Sequence, residues 1–305
     1  GDEALALYRE AAVELDRLMK SRRHHAFGDG AVYRNFLVRL AIAEQLYGEV
    51  KNRPEDAVVE RSYPRVDKKK DENGELIQID VYKLSPEHQA LIAAIDQVLK
   101  WRFKKPEEGG DDYAAAIEEN RVPLMYIGGQ VLYYYNRYDE ARPRLKALII
   151  NPDGTKSKYR GTQEASYAAG LLVDSYLNEG DLAQVRLWTQ AFIRDPVGPP
   201  PKPVKGQKGD ATSEQTKKFE KTLEGTAYKQ CREFVEIEDR ESAAECFLQF
   251  LKDFPASEYA NPALFTAAGQ MELTGRAERA IQLYEEYVNK YPNDPNAEQL
   301  YFRIA

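Results

Sequence analysis

"NPALFTAAGQMELTGRAERAIQLYEEYVNKYPND", Asn261 to Asp294, carries the spacing on which the fold turns. With Asn261 as position 1, Leu264 falls at 4, Ala267 and Ala268 at 7 and 8, Met271 at 11, Gly275 at 15, Ala280 at 20, Tyr284 at 24 and Pro292 at 32. The apolar positions recur at helical spacing on both sides of a Thr-Gly turn, which predicts two amphipathic helices folded back on each other. Where antiparallel helices approach closely only Ala or Gly fits, and this explains 8 and 20; larger apolar groups fill 4, 11 and 24. Pro292 then stops the second helix, because it cannot continue the hydrogen-bond ladder.

The same frame recurs upstream. With Glu224 as position 1, Ala227, Cys231, Phe234, Ala243, Phe247, Phe250 and Pro255 fall at 4, 8, 11, 20, 24, 27 and 32. The endings "FLKDFPASEYANPALF" and "YVNKYPNDPNAEQLYF" are alike, with Pro255 and Pro292 37 residues apart. On these residues the chain resembles the tetratricopeptide repeat family. The subtype resembles the repeats of bacterial envelope lipoproteins, among them the outer-membrane protein assembly factor and related cell-division and motility proteins.

Two looser units precede these. In "VPLMYIGGQVLYYYNRYDEARPRLKALIINPDG", Val122 as position 1 puts Met125, Gly129, Leu132, Tyr138, Ala141, Leu145 and Leu148 at 4, 8, 11, 17, 20, 24 and 27. Asp139 is expected to cap the second helix, which places Pro143 in its first turn, where proline is tolerated. A unit from Ser166 has Leu172, Tyr176, Gly180 and Phe192 at 7, 11, 15 and 27, with Val173 and Val185 in place of the small residues.

The remainder divides as follows. Residues 1–120 form a helical region, with helices expected over 3–22 and 31–50 and Asp29 as N-cap of the second. Residues 57–66 and 75–84 alternate apolar and polar around "DKKKDENG", which predicts a small β-hairpin insertion at 57–84. Ser85-Pro86-Glu87 opens another helix in the Ncap-N1 arrangement, and a further one is expected from Tyr113 to Asn120. Residues 121–196 hold the two looser units. Residues 197–218 are too rich in proline, glycine and lysine to bury much surface and read as a loop or linker. Residues 219–305 hold the two better units and a partial or capping helix. The fold class expected is all-α, a tetratricopeptide-like solenoid of antiparallel helix pairs carrying the β-hairpin.

Charge is unevenly spread. The net charge is -7, and the whole acidic excess lies in residues 222–305, which hold 8 basic and 15 acidic residues. Such a surface disfavours nucleic acid and favours a basic partner, unless it is only a solvated helix face. No apolar run is long enough for a direct membrane span.

Catalytic chemistry is not visible. His24 and His25 are neighbours on a helix and point in different directions, so they do not form the one-face pair a zinc site needs. His88 lies in a helix first turn beside Glu87. No phosphate-binding glycine loop and no nucleophile motif occurs, and no cofactor or metal is expected. An enzyme-regulatory domain remains an alternative, and it would need a polar pocket near His24, His25 and Asp29.

The resemblance implies a non-catalytic scaffold for protein–protein interaction. Carried over position by position, the family's concave groove would be lined by Tyr126, Gln130, Tyr133 and Tyr134 in one unit, Tyr167, Asp174 and Asn178 in the next, and Tyr228, Arg232 and Glu236 in the third. Burial of these tyrosines between repeats is the competing reading. The Lys and Asn residues with which chaperone-tail binders clamp a terminal carboxylate are missing from these positions. The family geometry also brings Cys231 near Cys246, close enough for a disulfide, with two buried free thiols as the alternative. A disulfide would place the chain in an oxidising compartment.

The subtype therefore implies a protein or peptide partner within a multiprotein complex, periplasmic or outer-membrane-associated. A cytoplasmic adaptor of the same fold is the alternative. In the closing residues the repeat spacing puts Glu298 at position 1, Tyr301 at 4 and Ala305 at 8. The expectation is a fragment of a longer array, with the partner site partly in the missing portion; a short terminal cap is the other reading.

Overall fold

The computed structural model describes residues 2–20, 28–103, 113–200 and 213–304. Twelve helices and two strands run through them. They separate into two compact units, the first drawn from Gly1–Asp181 and Asp195–Ala211, the second from Leu182–Arg194 and Thr212–Ala305.

In the first unit each helix packs on the next. α1 (Asp2–Lys20) lies on α2 (Gly28–Tyr47), α2 on α3 (Pro86–Lys100), α3 on α4 (Tyr113–Tyr134), and α4 on both α5 (Tyr138–Ala147) and α6 (Gln163–Glu179). Val32, Phe36, Leu91, Ile95, Val98 and Leu124 close the core between α2, α3 and α4. Burying each such side chain contributes about 1.5–3 kcal/mol.

Two helix starts, and the extent of a third helix that begins where expected at Tyr113, differ from the expectations. α2 begins at Gly28, so Asp29 sits in its first turn, where its carboxylate accepts the indole N–H of Trp101 at 2.8 Å. α4 is continuous from Tyr113 through Pro123 to Tyr134, with no break before Val122. Proline inside a helix costs about 3 kcal/mol, and the burial of Ile117 and Leu124 on either side offsets it. α5 starts at Tyr138, with Arg137 at its N-cap, so Pro143 lies in its second turn. The chain reverses between α4 and α5 at Asn136, whose φ of 56° is the left-handed backbone that Asn tolerates.

The glycine at position 8 of the Val122 unit is explained by close approach. A Cβ on Gly129 would stand 2.8 Å from Leu145 Cδ2, so a side chain there would force α4 and α5 apart.

Between α2 and α3, β1 (Val59–Pro64) pairs antiparallel with β2 (Gln78–Tyr82), running from Val59 opposite Tyr82 to Pro64 opposite Gln78. The strands are tied to the helices by backbone bonds: Tyr82 N–H donates to the Tyr135 carbonyl at 3.0 Å and Val66 N–H to the Glu179 carbonyl at 2.8 Å.

The second unit contains α7 (Leu182–Arg194), α8 (Glu214–Glu236), α9 (Arg240–Asp253), α10 (Ala260–Leu273), α11 (Ala277–Lys290) and α12 (Pro295–Ile304), again packed in chain order. α8 begins inside the stretch expected as a linker to 218, because the Ser213 hydroxyl accepts the Thr216 N–H and caps the helix there. Most of that linker lies outside the described residues.

The decisive frame is visible in the packing. Ala267, Ala268 and Ala280 are buried between α10 and α11, with Leu264, Met271 and Tyr284 around them. Polar groups close the unit: Tyr287 donates its hydroxyl to Asn261 Oδ1 at 2.7 Å, and Asn261 Nδ2 donates to Asp294 Oδ2 at 2.8 Å. The first and last residues of the repeat frame are thereby joined directly, and the buried Tyr287 holds Asn261 in place.

Candidate functional site

Among the residues that the repeat frame singles out, those on α4 and α6 share one face. Tyr126 and Tyr167 bring their ring centres to 6.0 Å, and Gln130 donates to the Tyr126 hydroxyl at 3.1 Å. Further along, the Tyr133 ring meets Tyr134 edge-on at 5.3 Å and Tyr138 at 5.5 Å. Asn178 spans the two helices by donating its amide to the hydroxyls of both Tyr133, at 3.2 Å, and Tyr138, at 3.0 Å. Asp174, one turn before Asn178, is exposed on the same side of α6. Tyr167 and Tyr134 remain 50% and 38% exposed, so part of the aromatic area stays open to solvent.

Burial holds the Tyr126 hydroxyl up at about 12, helped by the neighbouring Tyr134 and Tyr167. Burial likewise raises Tyr133 and Tyr138, with the Asp174 charge adding to both. The hydroxyls stay protonated at neutral pH and present neutral donors on an otherwise aromatic surface.

Beneath this face a polar knot fixes α5 against α6. Arg142 pairs with Glu179, donates Nε–H to Ser175 Oγ at 2.9 Å and lies over the Tyr176 ring at 3.9 Å. Glu179 also accepts the Tyr63 hydroxyl of β1. Asp67, paired with Arg65 at 2.8 Å, occupies the space a side chain on Gly180 would need. Tyr63, Arg142 and Glu179 do not follow from the repeat frame. Their one sequence signal is an acid at the end of the apolar stripe Ala168, Leu172, Tyr176 on α6.

A second knot lies just past the C-terminal end of α4, at Tyr135. His88 is fully buried, its ring stacked on Tyr47 at 4.5 Å. Its Nε2 lies 2.7 Å from the Val50 carbonyl, which makes Nε2 the protonated nitrogen; Nδ1 then accepts the Tyr135 hydroxyl at 2.8 Å. Desolvation lowers its pKa, partly opposed by the Val50 carbonyl and the Glu87 charge. Both ring nitrogens are committed to holding the 48–53 loop and α4 together. Beside this knot opens a cleft of about 640 Å³ lined by Leu46, Tyr47, Asn52, Arg53, Glu55 and Tyr134. Tyr134 thus belongs to both the cleft and the tyrosine face.

In the second unit the frame residues behave differently. Tyr228 is stacked on Tyr259 at 4.7 Å and packs against Phe247 and Phe250, so its ring is a core element. Arg232 and Glu236 remain exposed and face each other at 3.8 Å. Cys231 and Cys246 form a disulfide joining α8 to α9, with a sequence separation of 15. A cavity of about 430 Å³ opens beside it, lined in part by Arg186, Gln190, Gln230 and Gln249.

His24 and His25 lie outside the described residues. No helix among the described residues is long and apolar enough to cross a membrane.

Helices packed on their neighbours, with small residues where they approach closely, are consistent with an all-α repeat. Residues 263–294 match the tetratricopeptide repeat family. The match coincides with the α10–α11 pair and its buried alanines. No curated protein matches the chain. A tetratricopeptide repeat suggests a protein-interaction scaffold, an element that is in general non-catalytic.

Proposed function

We propose that the chain is a non-catalytic tetratricopeptide scaffold whose α4–α6 face, from Tyr126 and Tyr167 to Tyr133 and Asn178, is the surface that takes a protein or peptide partner. The observation that carries this reading is the pairing of partly exposed tyrosines from two helices, braced by Asn178. Tyrosine supplies a large contact area with a polar tip and loses little rotamer entropy on binding. The frame positions of Tyr228, Arg232 and Glu236 contribute less to such a surface, because the Tyr228 ring is spent on core packing.

The compartment we infer is the bacterial cell envelope, periplasmic or outer-membrane-associated, in a multiprotein assembly such as motility or outer-membrane machinery. Two features support it: the repeat subtype, and the Cys231–Cys246 bond, which suits an oxidising environment. The acidic excess of the second unit favours a basic partner there.

Affinity capture from the source cell tests the interaction surface. Partners retained by the full chain are lost on Tyr133→Ala with Tyr134→Ala; unchanged capture removes the face from the account. Non-reducing mass spectrometry of protein from its native compartment tests the localisation. Free thiols at Cys231 and Cys246 would favour a cytoplasmic adaptor.

A further inference from the structure

The Cys231–Cys246 bond is open on one side. The cavity of about 430 Å³ in the second unit lies among α7, α8 and α9, and both cysteines line it. The two residues differ in access. Cys231 is 1% exposed in a core cluster with Phe247 and Phe250, whereas Cys246 is partly exposed at the edge of that cluster. A nucleophile in the cavity therefore meets Cys246 first.

The rest of the lining suits a peptide. Arg186 and Gln190 of α7 and Gln230 of α8 border the cavity, and among the described residues none of these three side chains has a hydrogen-bond or ion-pair partner. Gln249 of α9 donates to Asp253 at 2.8 Å, which engages the acid of the lining and leaves the Gln249 carbonyl oxygen to accept. Amides offer both donors and acceptors to backbone N–H and C=O groups. Leu223, Phe250 and Phe254 add an apolar wall for flanking side chains. A guanidinium in the same cavity favours the thiolate form of an entering cysteine, which is the reactive form.

We propose that this cavity is a thiol-exchange site, in which a cysteine of an extended partner peptide attacks Cys246 Sγ as its thiolate. The peptide sulfur bonds to Cys246 and the Cys231–Cys246 bond breaks. Its electron pair passes to Cys231 Sγ, which takes up from water a proton equivalent to the one the incoming thiol gave up, so no external oxidant or reductant is consumed. The packing of α8 on α9 keeps Cys231 beside Cys246. Cys231 can then attack the mixed disulfide and release the peptide, which makes the capture reversible. The second unit thereby holds a cysteine-bearing partner covalently, independently of the α4–α6 face.

Exchange of the full, disulfide-bonded chain with the blocked tripeptide acetyl-Gly-Cys-Gly-amide tests this, with acid quench, alkylation of the released thiol and peptide mass mapping. The tripeptide is expected on Cys246 and the alkyl group on Cys231. Mercaptoethanol serves as a thiol without a peptide backbone, and each thiol's rate is scaled to its rate on the urea-unfolded chain. The scaled rate of the tripeptide should exceed that of mercaptoethanol about ten-fold, the worth of one hydrogen bond to a charged group. Arg186→Gln and Gln230→Ala, each first shown to keep the circular dichroism spectrum and melt of the parent, should bring the two scaled rates together. Adducts on Cys231, exchange seen only in urea, or equal scaled rates on the parent chain would overturn the proposal. A preference for the tripeptide that survives both substitutions would overturn it as well, and none of these results touches the α4–α6 face.

Discussion

Asn178 on α6 donates its side-chain amide to the Tyr133 hydroxyl on α4 at 3.2 Å, joining residues 45 apart in the sequence. The same amide reaches Tyr138 at 3.0 Å. Asn178→Ala is expected to cost about 1 kcal/mol, the net worth of such bonds, and to release the Tyr133 ring. The denaturation midpoint in urea reads the first effect, and weaker partner capture with an unchanged circular dichroism spectrum reads the second. A variant with undiminished capture would show that the brace does not matter for binding.

His88 predicts a pH dependence with a defined sign. Burial lowers its pKa from 6.5, so the unfolded chain takes up the proton first as pH falls. The stabilising contribution is therefore complete above the unfolded value and is lost as pH drops through it towards the folded one. Urea midpoints measured from about pH 8 to about pH 5 should fall on the acid side, and His88→Gln, which does not titrate there, should show a smaller fall. Equal slopes in the two proteins would contradict the buried neutral imidazole.

The disulfide closes a short loop between two packed helices. Its removal, by reductant or by Cys246→Ser, is expected to cost roughly 3 kcal/mol from the separation of 15 residues. Denaturation with and without reductant measures it. A midpoint indifferent to reductant would show that the bond contributes nothing.

Two glycines in helices should respond in opposite directions to alanine. A Cβ on Gly225 of α8 meets nothing within 4 Å, so Gly225→Ala should stabilise by about 1 kcal/mol through helix propensity. On Gly129 the same atom would stand 2.8 Å from Leu145, and overpacking of about 1–3 kcal/mol should exceed that gain. Thermal melts of both variants distinguish them. Stabilisation by Gly129→Ala would mean that α4 and α5 are not so closely apposed.

The second unit was legible in the sequence because its packing is local and periodic. Ala268, Ala280 and Pro292 are constrained by the helix pair they belong to, and small residues at a crossing announce themselves in spacing alone. The first unit was less so. The start of α4 at Tyr113 was expected, but its continuation through Pro123 to Tyr134 depends on Ile117 and Leu124 reaching a core built from α2 and α3, which outweighs the cost of the proline. Asp29 was a plausible cap by local rules, but it meets Trp101 across the fold. His88 looked idle because its partners Tyr47, Val50 and Tyr135 come from other elements.

For the candidate site, the groove positions carried over from the tetratricopeptide resemblance named Tyr126, Tyr133, Tyr134, Tyr167 and Asn178, among which Tyr126 meets Tyr167 and Tyr133 meets Tyr134 and Asn178. Position alone was not enough to tell an open ring from a packed one. Tyr228 holds an equivalent frame position and turns to Tyr259 and Phe247, because α8 and α9 leave an aromatic pocket there. The bracing by Arg142, Glu179 and Tyr63 joins an α5–α6 contact to a strand and has no sequence periodicity to reveal it.

The central claim is that partners dock on the α4–α6 face, and site-specific photo-crosslinking in the source cell tests it most directly. A photo-reactive phenylalanine analogue at Tyr167, 50% exposed on the face, is compared with the same group at Leu7, 61% exposed on α1. The account predicts a discrete crosslinked partner at Tyr167 that disappears on Tyr133→Ala with Tyr134→Ala, and none at Leu7. Crosslinking at Leu7 alone, or equal and tyrosine-independent products at both positions, would contradict it.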